Sequence, residues 1–124
     1  MTEKKLHSQI CTYLKVAYPT VLFNTDMSGL KLTIGQAVQA KKLRSCSGFP
    51  DIVIYEPSKG YRALFLEVKK ETPYKKSGEL KKSDHLKEQF TIHKKLESKG
   101  YLALFVWDLE STIKIIKEYL HNCF

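Results

Sequence analysis

Gly48-Phe49-Pro50-Asp51-Ile52-Val53-Ile54-Tyr55 is followed by Glu56-Pro57-Ser58-Lys59-Gly60 and then by Tyr61-Arg62-Ala63-Leu64-Phe65-Leu66-Glu67-Val68-Lys69. The outer stretches hold apolar, β-branched and aromatic runs, which suit a pleated, half-buried surface, so Asp51–Tyr55 and Tyr61–Lys69 read as strands. Pro57 and Gly60 between them favour a tight connection, hence a β-hairpin. Side chains alternate faces along a strand. Ala63, Phe65, Glu67 and Lys69 therefore share one face, and Leu64, Leu66 and Val68 share the other. If Tyr55 pairs with Ala63, Val53 meets Phe65 and Asp51 meets Glu67. A slip of two residues keeps both carboxylates on one face, whereas a slip of one sends Asp51 to the other side.

Carboxylates opposed in this way repel each other. A divalent cation between them reverses the sign of that interaction, and oxygen ligands of this kind suit Mg²⁺ or Mn²⁺. Such an ion acidifies a bound water and polarises a phosphoryl oxygen, the requirements of phosphodiester hydrolysis. Lys69 emerges beside Glu67, where an amine can orient the nucleophile, help deprotonate it, or stabilise charge on the phosphoryl oxygens. The sequence leaves these roles open. Taken singly, Glu-x-Lys is an ordinary surface pair and Pro-Asp an ordinary turn. Their convergence on one face of one hairpin is what points to chemistry.

Outward from the hairpin, Leu6, Ile10, Tyr13, Leu14 and Ala17 recur at helical spacing and predict a helix over 3–17, capped by Thr2 and ended by Pro19. A short strand is expected over 20–24, a loop over 26–31 and a second helix over 33–43. The lysine-rich segment 70–83, broken by Pro73 and Gly78, reads as an exposed mobile loop. A helix over 84–99, an apolar strand over 101–107 and a last helix over 111–121, with Ile113, Ile116 and Leu120 on one side, complete the chain. This order predicts an α/β fold, a mixed sheet with helices on both faces, in a single domain spanning 1–124.

Composition narrows the class. With 43% hydrophobic and 27% charged residues the chain is globular in character. Its longest apolar run, Tyr101–Trp107, is too short to cross a bilayer, and the N-terminus lacks a secretory signal, so no membrane association and a cytoplasmic location are expected. Three scattered cysteines fit neither a disulfide framework nor a thiolate zinc site. The four histidines show no paired metal-ligand spacing. A net charge of +8 favours polyanions, and without an amphipathic anchor nucleic acid is the leading partner. Lys41, Lys42 and Arg44 precede the Gly-Phe-Pro-Asp turn, while Lys70, Lys75, Lys76, Lys81, Lys82 and Lys87 follow the third strand, a distribution suited to a phosphate-binding rim.

Gly48-Phe49-Pro50-Asp51, then Glu67-Val68-Lys69, then Gln89 on the following helix resembles the PD-(D/E)XK nuclease superfamily. The likeness is nearest to its VRR-NUC (virus-type replication-repair nuclease) group, which includes small stand-alone phage and prophage members. It runs from Glu3 to the final helix and is most specific from Leu32 to Lys69, including Thr33-Ile34-Gly35-Gln36-Ala37. The resemblance implies a restriction-endonuclease-like α/β/α sandwich and a Mg²⁺- or Mn²⁺-dependent endodeoxyribonuclease. Metal ligation would fall to Asp51, Glu67 and the Val68 carbonyl, with Lys69 as catalytic lysine and Gln89 supporting the site. Glu3 matches an acidic residue that approaches the metal from the first helix, although a carboxylate in a first helical turn also answers the helix dipole. Helical spacing places Gln89 on the sheet-facing side with Leu86, Phe90, His93 and Leu96, where a water or Lys69 would satisfy its amide. The resemblance further implies a homodimer, activity on branched DNA such as four-way (Holliday) junctions, and a bacterial host cytoplasm if the origin is phage or prophage. The long lysine-rich segment departs from the pattern. A non-enzymatic alternative keeps Thr33–Arg44 as a recognition helix of a basic DNA-binding protein, and a requirement for metal separates the two.

Overall fold

The computed structural model describes residues 1–26 and 33–121. Of the loop expected over 26–31, all but Asp26 lies outside the described residues, as do Leu32 and Cys123. Helix α1 (Glu3–Ala17) is capped by Thr2, whose hydroxyl accepts from the Lys5 N–H, and it buries Leu6, Ile10 and Leu14. Strand β1 (Phe23–Thr25) starts later than Thr20. The turn after Pro19 closes with Val21 N–H donating to the Tyr18 carbonyl, which keeps Thr20 out of the sheet.

Helix α2 (Ile34–Leu43) opens with a capping box in which Thr33 and Gln36 satisfy each other's backbone N–H groups. None of its residues is buried, and Ile34 and Leu43 stand 86% and 76% exposed. Its helicity therefore owes more to the cap and local propensity than to packing.

Strands β2 (Ile52–Ile54) and β3 (Leu64–Val68) form the expected hairpin. Ser58 and Tyr61 exchange backbone hydrogen bonds around Lys59-Gly60, whose φ values of 52° and 85° make a two-residue turn of the primed kind. Tyr61 and Arg62 are not strand residues, because the Arg62 N–H leaves the hairpin and donates to the Gly100 carbonyl. Tyr119 donates its hydroxyl to the Glu56 carbonyl at 2.7 Å, and Ser58 donates its own to the Tyr119 carbonyl. The hairpin loop is thereby tied to helix α4 (Leu109–Tyr119).

Helix α3 (Asp84–Ser98) leads into strand β4 (Leu102–Val106). The segment before α3 holds no helix or strand and is mostly exposed, as expected of a loop, but it is pinned to the sheet at one point. Tyr74 and Leu80 bridge, Pro73 is buried, and Tyr74 sits edge-on to Phe105 and Trp107 with ring centroids 6.1 Å away from each. The tip carrying Lys75 and Lys76 is exposed, as are Lys70, Glu71 and Lys82. Helix α4 starts earlier than Ser111, because Asp108 caps it by accepting from the Ser111 N–H. Ile116 and, just past the helix, Leu120 are buried as expected, but Ile113 is only half-buried and Thr112 and Tyr119 complete the inward face. Thr112 is admitted because its hydroxyl bonds back to the Asp108 carbonyl.

The strands lie in the order β1-β2-β3-β4, antiparallel except for the parallel β3–β4 pair. On one face α1 and α4 cover Ile52, Ile54, Leu64, Leu66, Val68 and Val106, and on the other α3 covers Phe65, Ala103 and Tyr101 through Ile92 and Leu96. This is the α/β/α sandwich of the restriction-endonuclease-like class, built on a mixed sheet.

Gly48 seats the chain on α3 just before it enters β2. Its φ is +90°, and a Cβ there would lie 3.2 Å from both Glu88 Cγ and Ile92 Cγ1. Gly60 has a φ of +85° and nothing within 4 Å. Alanine at Gly60 is expected to cost about 1–2 kcal/mol for the left-handed backbone alone. Alanine at Gly48 is expected to cost about 1–3 kcal/mol more through overpacking. Urea unfolding of both variants checks this, and equal losses would show that α3 does not press on the turn.

Candidate metal and catalytic site

The register decides where the carboxylates go. Val53 pairs with Phe65 and Ile52 with Leu66, so the next pair is Asp51 opposite Glu67, as the hairpin predicted. Asp51, Val53 and Tyr55 point their backbone groups at β1, as shown by Asp26 N–H donating to the Asp51 carbonyl and Tyr55 N–H to the Leu22 carbonyl. Asp51 and Glu67 therefore occupy a non-hydrogen-bonded position, where opposed side chains approach most closely.

One step further, the register sets Pro50 opposite Val68. Proline has no N–H to offer the Val68 carbonyl, so the ladder stops there. The Val68 N–H is taken instead by Asp51 Oδ2 at 2.8 Å. The N–H and carbonyl of one antiparallel residue point to the same side. The Val68 carbonyl is thus directed to the edge where Asp51 lies. The Lys69 N–H turns the other way, to the Val106 carbonyl at 2.8 Å.

Glu67 is only 2% exposed. Burial, then a hydrogen bond and charge repulsion from Asp51, push its carboxyl from 4.5 up to about 10, against a smaller opposing pull from Lys69. Glu3 adds to the repulsion, and its carboxylate accepts from the Lys70 N–H at 3.3 Å, so the start of α1 abuts the end of β3. At neutral pH Glu67 holds a proton. A buried carboxyl that keeps its proton beside a second, half-buried carboxyl is chemically suited to a cation. Its Oε1 has no hydrogen-bond partner, which is the same need seen from the geometric side.

Beneath α3, His93 is 3% exposed and its Nε2 lies 3.8 Å from Glu67 Oε1. Burial lowers its pKa from 6.5 to about 4, so the ring is neutral and the contact is not an ion pair. Gln89 is buried as expected, but its amide nitrogen meets His85 Nε2 at 3.2 Å and not Lys69, and its Oε1 has no partner. Helical spacing puts His93 on the inward side, but neither His85 nor His93 has the spacing of a zinc motif to mark it as a site residue. Their signal was the four-residue interval through His85, Gln89 and His93, which stacks them on one helical stripe.

On the α1 side a cavity of about 910 Å³ runs past Glu3, His7, Asn24, Asp26, Asp51, Val68 and Lys70. Lys69 is half-buried, while Lys41, Lys42, Lys70, Lys75 and Lys76 are exposed. Arg44 pairs with Asp26 at 2.7 Å, which ties the end of α2 to the strand edge beside Asp51. A second cavity of about 840 Å³, at the hairpin end, is lined by Tyr55, Tyr61, Arg62, Phe65 and Tyr101 and includes none of the acidic groups. Among the described residues no three His, Cys, Asp or Glu side chains form a ready metal cluster. The candidate donor set is instead two carboxylates and a backbone carbonyl.

A solved structure described as a VRR_NUC domain protein superposes on this chain with a TM-score of 0.68 at 19% identity, covering 97% of this chain and 88% of that one. The fold is shared. No protein-family model and no curated protein matches the sequence. Among the described residues no helix is long and apolar enough to cross a membrane.

The carboxyl held at about 10 makes stability depend on pH. Between 4.5 and about 10 the unfolded chain binds fewer protons at Glu67 than the folded one, so this group lowers stability as pH rises. His93 acts oppositely, but only between about 4 and 6.5. The metal-free Glu67→Gln variant is therefore expected to melt above the parent, by a gap that widens from pH 6.5 to pH 8. Each ~1 kcal/mol corresponds to roughly 3–6 °C for a domain of this size. Calorimetry in EDTA at both pH values checks this, and a gap independent of pH would mean that Glu67 is ionised in the fold.

Proposed function

We propose that this chain is a metal-dependent endonuclease that hydrolyses phosphodiester bonds in DNA, and that it belongs with the VRR-NUC nucleases. The observation that carries the reading is the edge at Asp51, Glu67 and Val68. There a hairpin opposes two carboxylates, a proline leaves a backbone carbonyl without its ladder partner, and Lys69 follows directly. Asp51, Glu67 and the Val68 carbonyl would hold Mg²⁺ or Mn²⁺. Such an ion supplies Lewis acidity, polarising a phosphoryl oxygen and making a water easier to deprotonate.

The protein's own groups supply the rest. Loss of the proton from Glu67 accompanies ligation, so uptake of the ion is favoured as pH rises. Lys69 places a positive amine beside the reacting phosphate, where it orients the water and offsets charge on the phosphoryl oxygens. Glu3, at the mouth of the cavity, adds a carboxylate that can approach the ion from α1. Gln89 lies on the helix above Glu67 and supports the polar layer there. Lys41, Lys42, Arg44, Lys70, Lys75 and Lys76 serve as the phosphate-binding rim, Arg44 by exchanging Asp26 for a phosphate. With +8 net charge, capture of DNA is expected to weaken steeply with salt.

The preference for branched DNA such as four-way junctions, and assembly as a homodimer, follow from likeness to the family. A two-fold dimer would present paired sites to the strands of a symmetric junction. Linear, flapped and four-way DNAs incubated with Mg²⁺, Mn²⁺ or EDTA test the reading, with Glu67→Ala and Lys69→Ala alongside. Cleavage is expected only with metal, most on the four-way substrate, and reduced about 100-fold or more by either substitution. DNA retention by both variants in gel-shift assays is expected to persist. Binding without cleavage by the wild type under every condition would favour a non-catalytic DNA-binding protein. Sedimentation at the mass of one chain would remove the dimer.

A further inference from the structure

His93 is enclosed between α3 and the sheet. It sits on the inward stripe of α3, its ring lies 4.5 Å from the Phe105 ring, and Phe105 is the β4 residue paired with Glu67. The imidazole is therefore packed against a buried aromatic of the neighbouring strand. Its Nε2 is directed at Glu67 Oε1 across 3.8 Å, and neither atom has a hydrogen-bond partner although both residues are almost fully buried. Buried polar atoms are rarely left unpaired, and two facing each other at this separation need a movement of roughly 1 Å to reach hydrogen-bond distance.

The two oxygens of Glu67 have different surroundings. One side of the carboxyl meets Asp51, and Oε1 is turned to the α3 side and His93. A carboxylate that gives one oxygen to a cation must have the other satisfied within the protein, and that second contact sets its orientation. We propose that His93 is a positioning residue of the metal site, its Nε2–H donating to Glu67 Oε1 so that the other oxygen is presented at the edge shared with Asp51 and Val68. The inference rests on the nuclease reading above and adds a group outside the Asp51, Glu67, Lys69 and Gln89 set. His93 does not touch the ion in this arrangement.

The test is Mn²⁺ titration calorimetry on the metal-free full chain and on His93→Gln, His93→Leu and Glu67→Gln, with melting curves in EDTA. Glutamine keeps an N–H at a reach close to that of Nε2, whereas leucine fills the space without a donor. Expected results are Mn²⁺ affinity within a few-fold of wild type for His93→Gln and about 10–100-fold weaker for His93→Leu. The His93→Leu melting temperature in EDTA is expected to stay at or above that of wild type, because an unpaired buried polar group has been removed. Spin-echo modulation of bound Mn²⁺ is expected to show no directly coordinated imidazole nitrogen. Equal affinity in wild type and His93→Leu would overturn the proposal, as would His93→Gln binding no better than His93→Leu, or a directly coordinated nitrogen. A wild type that takes up no Mn²⁺, or a Glu67→Gln variant that binds it equally well, would instead overturn the metal site itself, and the proposal with it.

Discussion

Opposed carboxylates repel, yet Asp51 and Glu67 cannot escape each other by sliding the hairpin. On the reverse face of the same two strands Ile52, Ile54, Leu64 and Leu66 are all fully buried against α1 and α4. A slip of one residue would move that whole set to the wrong side. Burying each such side chain is worth about 1.5–3 kcal/mol, while a cross-strand charge pair weighs about 1 kcal/mol or less. The apolar face wins, and the acidic face must accept the geometry. Burial first, and the neighbouring Asp51 second, raise the Glu67 pKa, and the neutral form also lessens the repulsion.

Pro50 completes the arrangement by what it lacks. A residue with an N–H opposite Val68 would extend the ladder and engage the Val68 carbonyl. With proline there, Asp51 bonds the Val68 N–H, which draws its carboxylate to the strand edge. Gly48 lies two residues earlier with backbone close to α3, so the turn, the edge and the helix above Glu67 are mechanically joined. The Gly-Phe-Pro-Asp stretch is thus a connected device: glycine for close approach, proline for the broken ladder, aspartate for the exposed edge.

The α3 layer carries the cost of this design. Glu67, Gln89 and His93 each leave a buried polar atom unpaired in a protein whose other polar side chains mostly find partners or solvent. Local violations of this kind concentrate where function, not packing, sets the residue type. The contrast with Thr112 is instructive, since it is as buried as any leucine but bonds its own helix backbone. Positive charge is arranged differently again, on exposed lysines of α2, of the segment after β3 and of its Lys75–Lys76 tip.

Local pattern determined a good deal. Period-two alternation in Leu64–Lys69 assigned each side chain to its face, and the Pro57–Gly60 turn tied that strand to Asp51, so the carboxylate pair was legible before any coordinates. Helical spacing did the same for α1 and for the inward placement of Gln89. What remained hidden depends on partners distant in the chain. The inward face of α4 turned on whether Thr112 could satisfy its hydroxyl, the pinning of segment 70–83 on Tyr74 finding Phe105 and Trp107, and the neighbour of Gln89 on the rotamer of His85. His93 facing Glu67 is of this second kind. A sequence specifies faces through backbone periodicity, but which polar atom faces which across two elements is settled only when the layers pack.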